Sequence, residues 1–417
     1  MHEETFAQHP ARATHSDIPA LTGFRFLAAL LVLLGHGRAV VRYEDADVIG
    51  VWLGPLAACG MTMFFVLSGF LMWLNYGEAY RDRPPLDVTR GFAIARFARL
   101  YPMLLCTLLV VCIFRWTSVV AAMPAALLYP LMMNAWFPGN GALPITLTVA
   151  AAAHTWSISV EIFCYLLFPA FALIFSRVKS RITILAGGLL FLLILLLIAL
   201  LAPRHIAELK LIFGTNMPDD QFGMWVTYYS PFTRIFEFGI GCLVGCYFTS
   251  KGRITTGPSN AIIMGLFALL VAIVVFANGD AFASAWAVHD LAIRAGLAGG
   301  SALLVYGMAS CPDHLISRIF ASRPARIGGE ISYSTYLLHP FVLGLLVHQT
   351  LVRSTALSIC EWLLTMTAAL AIIYSVSYAT YRIIEVPARK WIKGFFANQI
   401  HRSPQTHFVT EPRSSTS

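Results

Sequence analysis

The sequence places titratable side chains inside apolar runs, and their types and spacing are what could do chemistry. Arg25 and His36 lie eleven residues apart in TGFRFLAALLVLLGH, residues 22–36. On a helix that spacing is about 20° past three full turns and about 16 Å along the axis, so both share one stripe at different depths. An arginine can fix an anion and an imidazole can move a proton. The plainer reading is a snorkelling arginine with an interfacial histidine. A second set stands in HTWSISVE, where His154 and Glu161 are seven residues apart and fall on one face if the helix already includes His154. Ser157 lies between them beside Trp156. A carboxylate inside a bilayer needs a partner, and His36 is the expected one, the alternative being a structural helix–helix pair. His339 precedes Pro340, which can kink a helix so that His339 faces a cavity. His348, half a turn round the same helix, is expected at the interface. Arg90, Arg96 and Arg99 form a basic segment in which Arg96 and Arg99, i and i+3, can grip one anion together. Charge that only sets membrane orientation is the plainer account of that segment. Arg234 and Glu237, also i and i+3, read as a structural pair.

The elements that hold these residues follow from composition. Charged residues make up 12% of 417, about half the usual share for a soluble domain, and 58% are hydrophobic. Mean hydropathy is +0.71. One water-soluble core could not hide that much apolar surface, and disorder is excluded on the same ground. The expected fold is an all-α, polytopic integral membrane helix bundle. At about 20 apolar residues per span, ten spans are expected: 21–41, 55–75, 97–117, 157–176, 182–202, 231–250, 260–278, 289–309, 332–352 and 359–383. The stretch 118–156, broken by Pro124, Pro130 and Pro138, is expected to be re-entrant or interfacial. With both termini cytoplasmic, 21 of the 29 Lys and Arg residues fall on the inner side. Residues 1–18 are expected to be a cytoplasmic tail, 19–393 the membrane domain, and 394–417 a polar cytoplasmic tail.

The net charge of +8 suits nucleic acid, anionic lipid or an anionic cofactor equally. Sorted by position it is an excess on the inner side, and nucleic acid is not needed to explain it. The eight cysteines lie in or beside apolar runs with no CxxC and no zinc spacing, which points to packing and to no metal. Neither a Walker loop nor a strand-linked GxGxxG is present. In FFVLSGFL, Ser68 and Gly69 are expected to let a second helix approach closely. Trp136, Trp225, Tyr228 and Tyr229 could stack on a sugar, but an interfacial aromatic belt is the expected role.

At these residues the chain resembles acyltransferase family 3, the bacterial multi-pass membrane acyltransferases. The resemblance runs from about Leu21 to Trp391 and rests on Arg25 with His36, FFVLSGFL (64–71), RFARLYP (96–102), HTWSISVE (154–161), RIFEFGIG (234–241), ISYSTYLLHP (331–340) and EVP (385–387). Two positions depart from the family pattern. Ile162 and Phe163 stand where a second acidic residue is common, and Gly35 stands where an aromatic usually precedes the histidine.

The resemblance implies a bacterial inner-membrane enzyme that moves an acyl group, acetyl first and succinyl possible, from cytoplasmic acyl-CoA to a hydroxyl of a cell-envelope carbohydrate or glycolipid. Acyl-CoA is then a donor substrate, with no metal or prosthetic group. In that reading Arg25, Arg90, Arg96 and Arg99 bind the anionic donor. His36 is the general base, Glu161 orients it, and His154, Ser157 and His339 support the site. The competing reading is a transporter or flippase with a His/Glu proton relay. Transporters often carry two similar halves, and no second copy of the Arg25/His36 pattern occurs in this sequence.

Overall fold

The computed structural model describes residues 18–37, 46–250, 260–278, 286–353 and 359–402. Each of the ten expected segments holds a long helix: α1 (Pro19–His36), α2 (Ala46–Met72), α3 (Pro85–Phe114), α4 (Trp156–Phe175), α5 (Arg181–Leu201), α6 (Pro231–Ser250), α7 (Asn260–Ala277), α8 (Trp286–Ser310), α9 (Ser332–Arg353) and α10 (Ile359–Thr380). An eleventh, α11 (Val386–Arg402), follows a π-helical segment at Tyr381–Glu385, so part of the stretch expected as a polar tail is helical. Residues 1–17 and 403–417 of the expected tails lie outside the described residues.

Among the described residues seven helices are long and apolar enough to cross a membrane, and there is no strand. The protein is therefore a multi-pass membrane helix bundle. Of the other three expected spans, α6 carries the charged pair Arg234 and Glu237, and α8 and α9 have described side chains over only part of their length.

The stretch 118–156 contains no spanning helix. It is built of short turns at Trp116–Ala121, Ala125–Leu128, Ile145–Thr148 and Ala150–Thr155. Irregular backbone is tolerated at membrane depth only where its polar groups find partners within the protein. Here they do. Ser159 Oγ donates to the Met132 carbonyl (2.8 Å) and accepts from the Ala135 N–H (3.2 Å), and Tyr129 OH donates to the Ile145 carbonyl (2.8 Å). The indole N–H of Trp136 donates to the Ser159 carbonyl and that of Trp225 to the Ala135 carbonyl, both at 3.1 Å. Trp225 is fully buried. These tryptophans fasten the stretch to the bundle, which corrects the expectation of an interfacial belt. Tyr228 and Tyr229 depart from it as well, since both pack on the buried Trp156 at 5.2 Å.

Close helix contact depends on glycine where the sequence suggested it. A Cβ at Gly69 of α2 would overlap the Phe238 carbonyl of α6, and one at Gly241 of α6 would overlap the Val66 carbonyl of α2. The crossing is reciprocal and closes only without side chains. Gly35 serves α1 against α2 in the same way. A Cβ there would overlap that of Ala57 and lie 2.7 Å from the Leu53 carbonyl. The missing aromatic before His36 thus makes room for a neighbouring helix. All eight cysteines are free thiols.

Candidate active site

α1 and α9 define the site. On α9, Ser332, Tyr336 and His339 are spaced four and three residues apart and so share one face. Arg25 of α1 lines a cavity with Ser332 and Tyr336, and His36, further along α1, meets His339. The stripe expected for Arg25 and His36 is therefore the stripe that faces α9.

The first part of the site is an open cavity of about 730 Å³. Arg25, Arg96, Arg99, Ser157 and Glu161 line it, as do Ser68, Tyr165, Tyr333 and Tyr336. Arg96 and Arg99 share this cavity, as their spacing allows. The Arg96 guanidinium lies over the rings of Tyr76 (5.9 Å) and Tyr165 (5.8 Å), and its buried Nε has no hydrogen-bond partner. Arg90 is exposed and does not line the cavity. Six residues before Arg96, it points about 120° away round α3.

Glu161 is in the cavity, but its partners are not those expected. Oε1 accepts from Ser68 Oγ (3.2 Å) and, in a very short bond, from Tyr165 OH. Sequence reasoning missed this role of Ser68, which looked like a packing residue. Gly69 provides the packing, while Ser68, one position back, turns into the cavity. Tyr333 OH donates to the Leu100 carbonyl (2.6 Å), and Ser334 Oγ donates to the buried carboxylate of Glu385 (2.9 Å), tying α9 to α3 and to the segment before α11.

The second part is a cluster of imidazoles. The rings of His36 and His339 are 4.9 Å apart, and those of His339 and His154 are 5.8 Å apart. His154 is not on α4. It lies in the 3₁₀ turn before it, so the helix face expected to be shared with Glu161 is not formed. His154 and His339 are buried. Both ring nitrogens of His154, and Nε2 of His339, have no partner. The side chain of His348 lies outside the described residues.

His36 is exposed among the described residues, and its Nδ1 lies 2.8 Å from the carbonyl of Val32, one turn back. A carbonyl only accepts, so Nδ1 carries the hydrogen and Nε2 keeps its lone pair. The backbone of α1 thus sets the tautomer of a potential base, the task expected of Glu161.

Tyr336 joins the two parts. It lines the cavity, packs its ring against those of His339 (5.6 Å) and His154 (5.9 Å), accepts from Ser157 Oγ (2.6 Å) and donates to the His154 carbonyl (2.5 Å). It lay unremarked in ISYSTYLLHP, and its i−3 spacing from His339 was the available signal.

A model of an acyltransferase domain, that of acyltransferase family 3, matches residues 18–382. The chain belongs to that family. Relatives of this family member include the peptidoglycan O-acetyltransferase OatA of Listeria monocytogenes, 25% identical over 92% of this chain and 58% of that protein. The O-acetyltransferase OatA of Staphylococcus aureus is 26% identical over 91% of this chain and 58% of that protein. The acyltransferase MdmB of Streptomyces mycarofaciens is 28% identical over 39% of this chain and 41% of that protein. The chain spans less than two thirds of the length of these relatives. No solved structure matches it.

The cationic cavity suits an anion, and the lone pair of His36 suits proton abstraction. Among the described residues no group of three or more His, Cys, Asp or Glu side chains could hold a metal ion.

Proposed function

We propose that this family member is a membrane O-acyltransferase of the bacterial inner membrane, moving an acyl group from cytoplasmic acyl-CoA to a hydroxyl of a cell-envelope carbohydrate. The observation that carries the reading is the continuity through Tyr336 between a cavity holding three arginines and an imidazole cluster. A long donor with phosphates at one end and a thioester at the other fits such a site. Arg25 to His36 spans about 16 Å along α1, a separation that an extended donor can bridge.

Arg25, Arg96 and Arg99 hold the donor phosphates. Glu161, with Ser68 and Tyr165 on its oxygen, balances the arginines and shapes the cavity wall. Nε2 of His36 takes the proton of the acceptor hydroxyl, whose oxygen attacks the thioester carbonyl. The C–S bond breaks, and the departing CoA thiolate receives that proton from His36. The names of the relatives make acetyl the first acyl group to test and peptidoglycan the first acceptor.

The test is transfer from radiolabelled acetyl-CoA to glycan in proteoliposomes. His36→Ala should lower transfer by at least about 100-fold, the scale of a lost general base. Full transfer by that variant ends the mechanism. Glycan flux without labelling would support a transporter instead.

A further inference from the structure

His339 has no task in the reaction as written, yet among the described residues its ring packs against that of His36. Its Nδ1 lies 2.7 Å from the Tyr336 carbonyl, so Nδ1 carries the hydrogen and Nε2 is a bare lone pair. That lone pair is buried with no partner, an uncommon state for a polar atom in a folded interior. His36 has the same tautomer, set the same way by the Val32 carbonyl. The two rings are 4.9 Å apart. Two imidazoles joined by an N–H···N bond of about 2.9 Å have centroids roughly 5 Å apart. Finally, Glu161, the carboxylate expected to orient His36, accepts from Ser68 and Tyr165 instead.

We infer that His339 is a positioning residue whose Nε2 lone pair shares the proton that His36 takes from the acceptor. At rest two lone pairs cannot bond. Once one proton arrives, the N–H···N bond forms, the charge spreads over both rings, and each Nδ1–H points at a carbonyl oxygen. No other bond changes, and the proton leaves with the CoA thiolate. On Nδ1, where a catalytic triad places an acid, His36 has the Val32 carbonyl, and the neutral His339 imidazole meets it on the Nε2 side instead. The inference rests on the acyltransferase reading with His36 as base.

Three substitutions test it. His339→Phe fills the space without a lone pair. His339→Asn can keep the donor to the Tyr336 carbonyl but reaches no further. His339→Gln can put an amide oxygen where Nε2 stands. Phe and Asn should lower kcat by about 100-fold, and Gln should stay within about tenfold of the parent. In all three the donor KM should change less than about twofold, because the loss is confined to the transition state. Wild-type kcat in the Phe variant, or a Gln variant as poor as Phe, overturns the inference.

The second measurement needs no activity and no variant. Solid-state ¹⁵N NMR of the histidine-labelled protein in bilayers should show protonated Nδ1 and bare Nε2 on both His36 and His339. A protonated Nε2 on resting His339 overturns the inference, and this spectrum decides the matter if the Phe variant does not accumulate. Wild-type protein that transfers no acyl group removes the acyltransferase reading beneath it. Active wild type with an unimpaired Phe variant removes the pairing alone.

Discussion

Two arrangements of arginine and carboxylate stand close together in this bundle, and they are built to opposite ends. Around Arg234 the donors are taken up. NH1 is 2.6 Å from Glu237 Oε1 and 3.4 Å from Thr62 Oγ1, and Nε donates to the Tyr228 carbonyl at 2.8 Å. Three aromatic faces, Phe65, Trp156 and Tyr228, cover the guanidinium at 5.7, 5.6 and 4.6 Å. The cavity, by contrast, is lined by three arginines with one carboxylate, and hydroxyls occupy one oxygen of that carboxylate. An arginine enclosed by partners holds helices together. Arginines left facing a cavity can take an anion from outside. The lesson is that charge in a membrane bundle is to be sorted by what its donors already touch, not by depth.

The comparison can be broken most sharply at Arg234. Arg234→Met leaves Glu237 buried and unpaired, which should cost about 3–5 kcal/mol of stability, read as a lowered melting temperature in detergent. Adding Glu237→Met should restore most of it, since an apolar pair can replace a buried ion pair. A single variant that melts normally but loses donor affinity would reverse the two assignments. Next in size, Arg96→Ala should raise the donor KM by about 10–100-fold, the worth of a charged hydrogen bond at about 1.5–3 kcal/mol. Its melting temperature should be unchanged, and a fall there with normal KM would make Arg96 structural. The smallest effect is expected at Arg90, exposed and outside the cavity. Arg90→Ala should stay within about 0.5 kcal/mol of the parent in both assays, and a KM rise like that of Arg96→Ala would redraw the cavity.

Much of this was legible in the sequence, for a physical reason. Helices in lipid are written as long apolar runs, so the ten helical segments could be read directly. Among the described residues seven helices are long and apolar enough to span. The Arg25/His36 stripe needed only helical periodicity. The Arg96/Arg99 pair followed from the same arithmetic. What escaped depends on contacts between elements distant in sequence. Ser68 meets Glu161 across 93 positions, and Ser157 meets Tyr336 across 179. The position of His154 turned on where α4 begins, which local pattern does not settle to one residue. Arg90 was grouped with Arg96 and Arg99 by charge, and only the turn of the helix separates them.

The hydrogen bond from His36 to the Val32 carbonyl has a genetic consequence. Because the group that orients this imidazole is main chain, substituting the Val32 side chain leaves it in place. An alanine scan of α1 would find the base and no residue that aims it. A screen for orienting partners would pass over this constraint. Only changes that move the backbone itself, such as a proline or a deletion in the last turn of α1, would expose it.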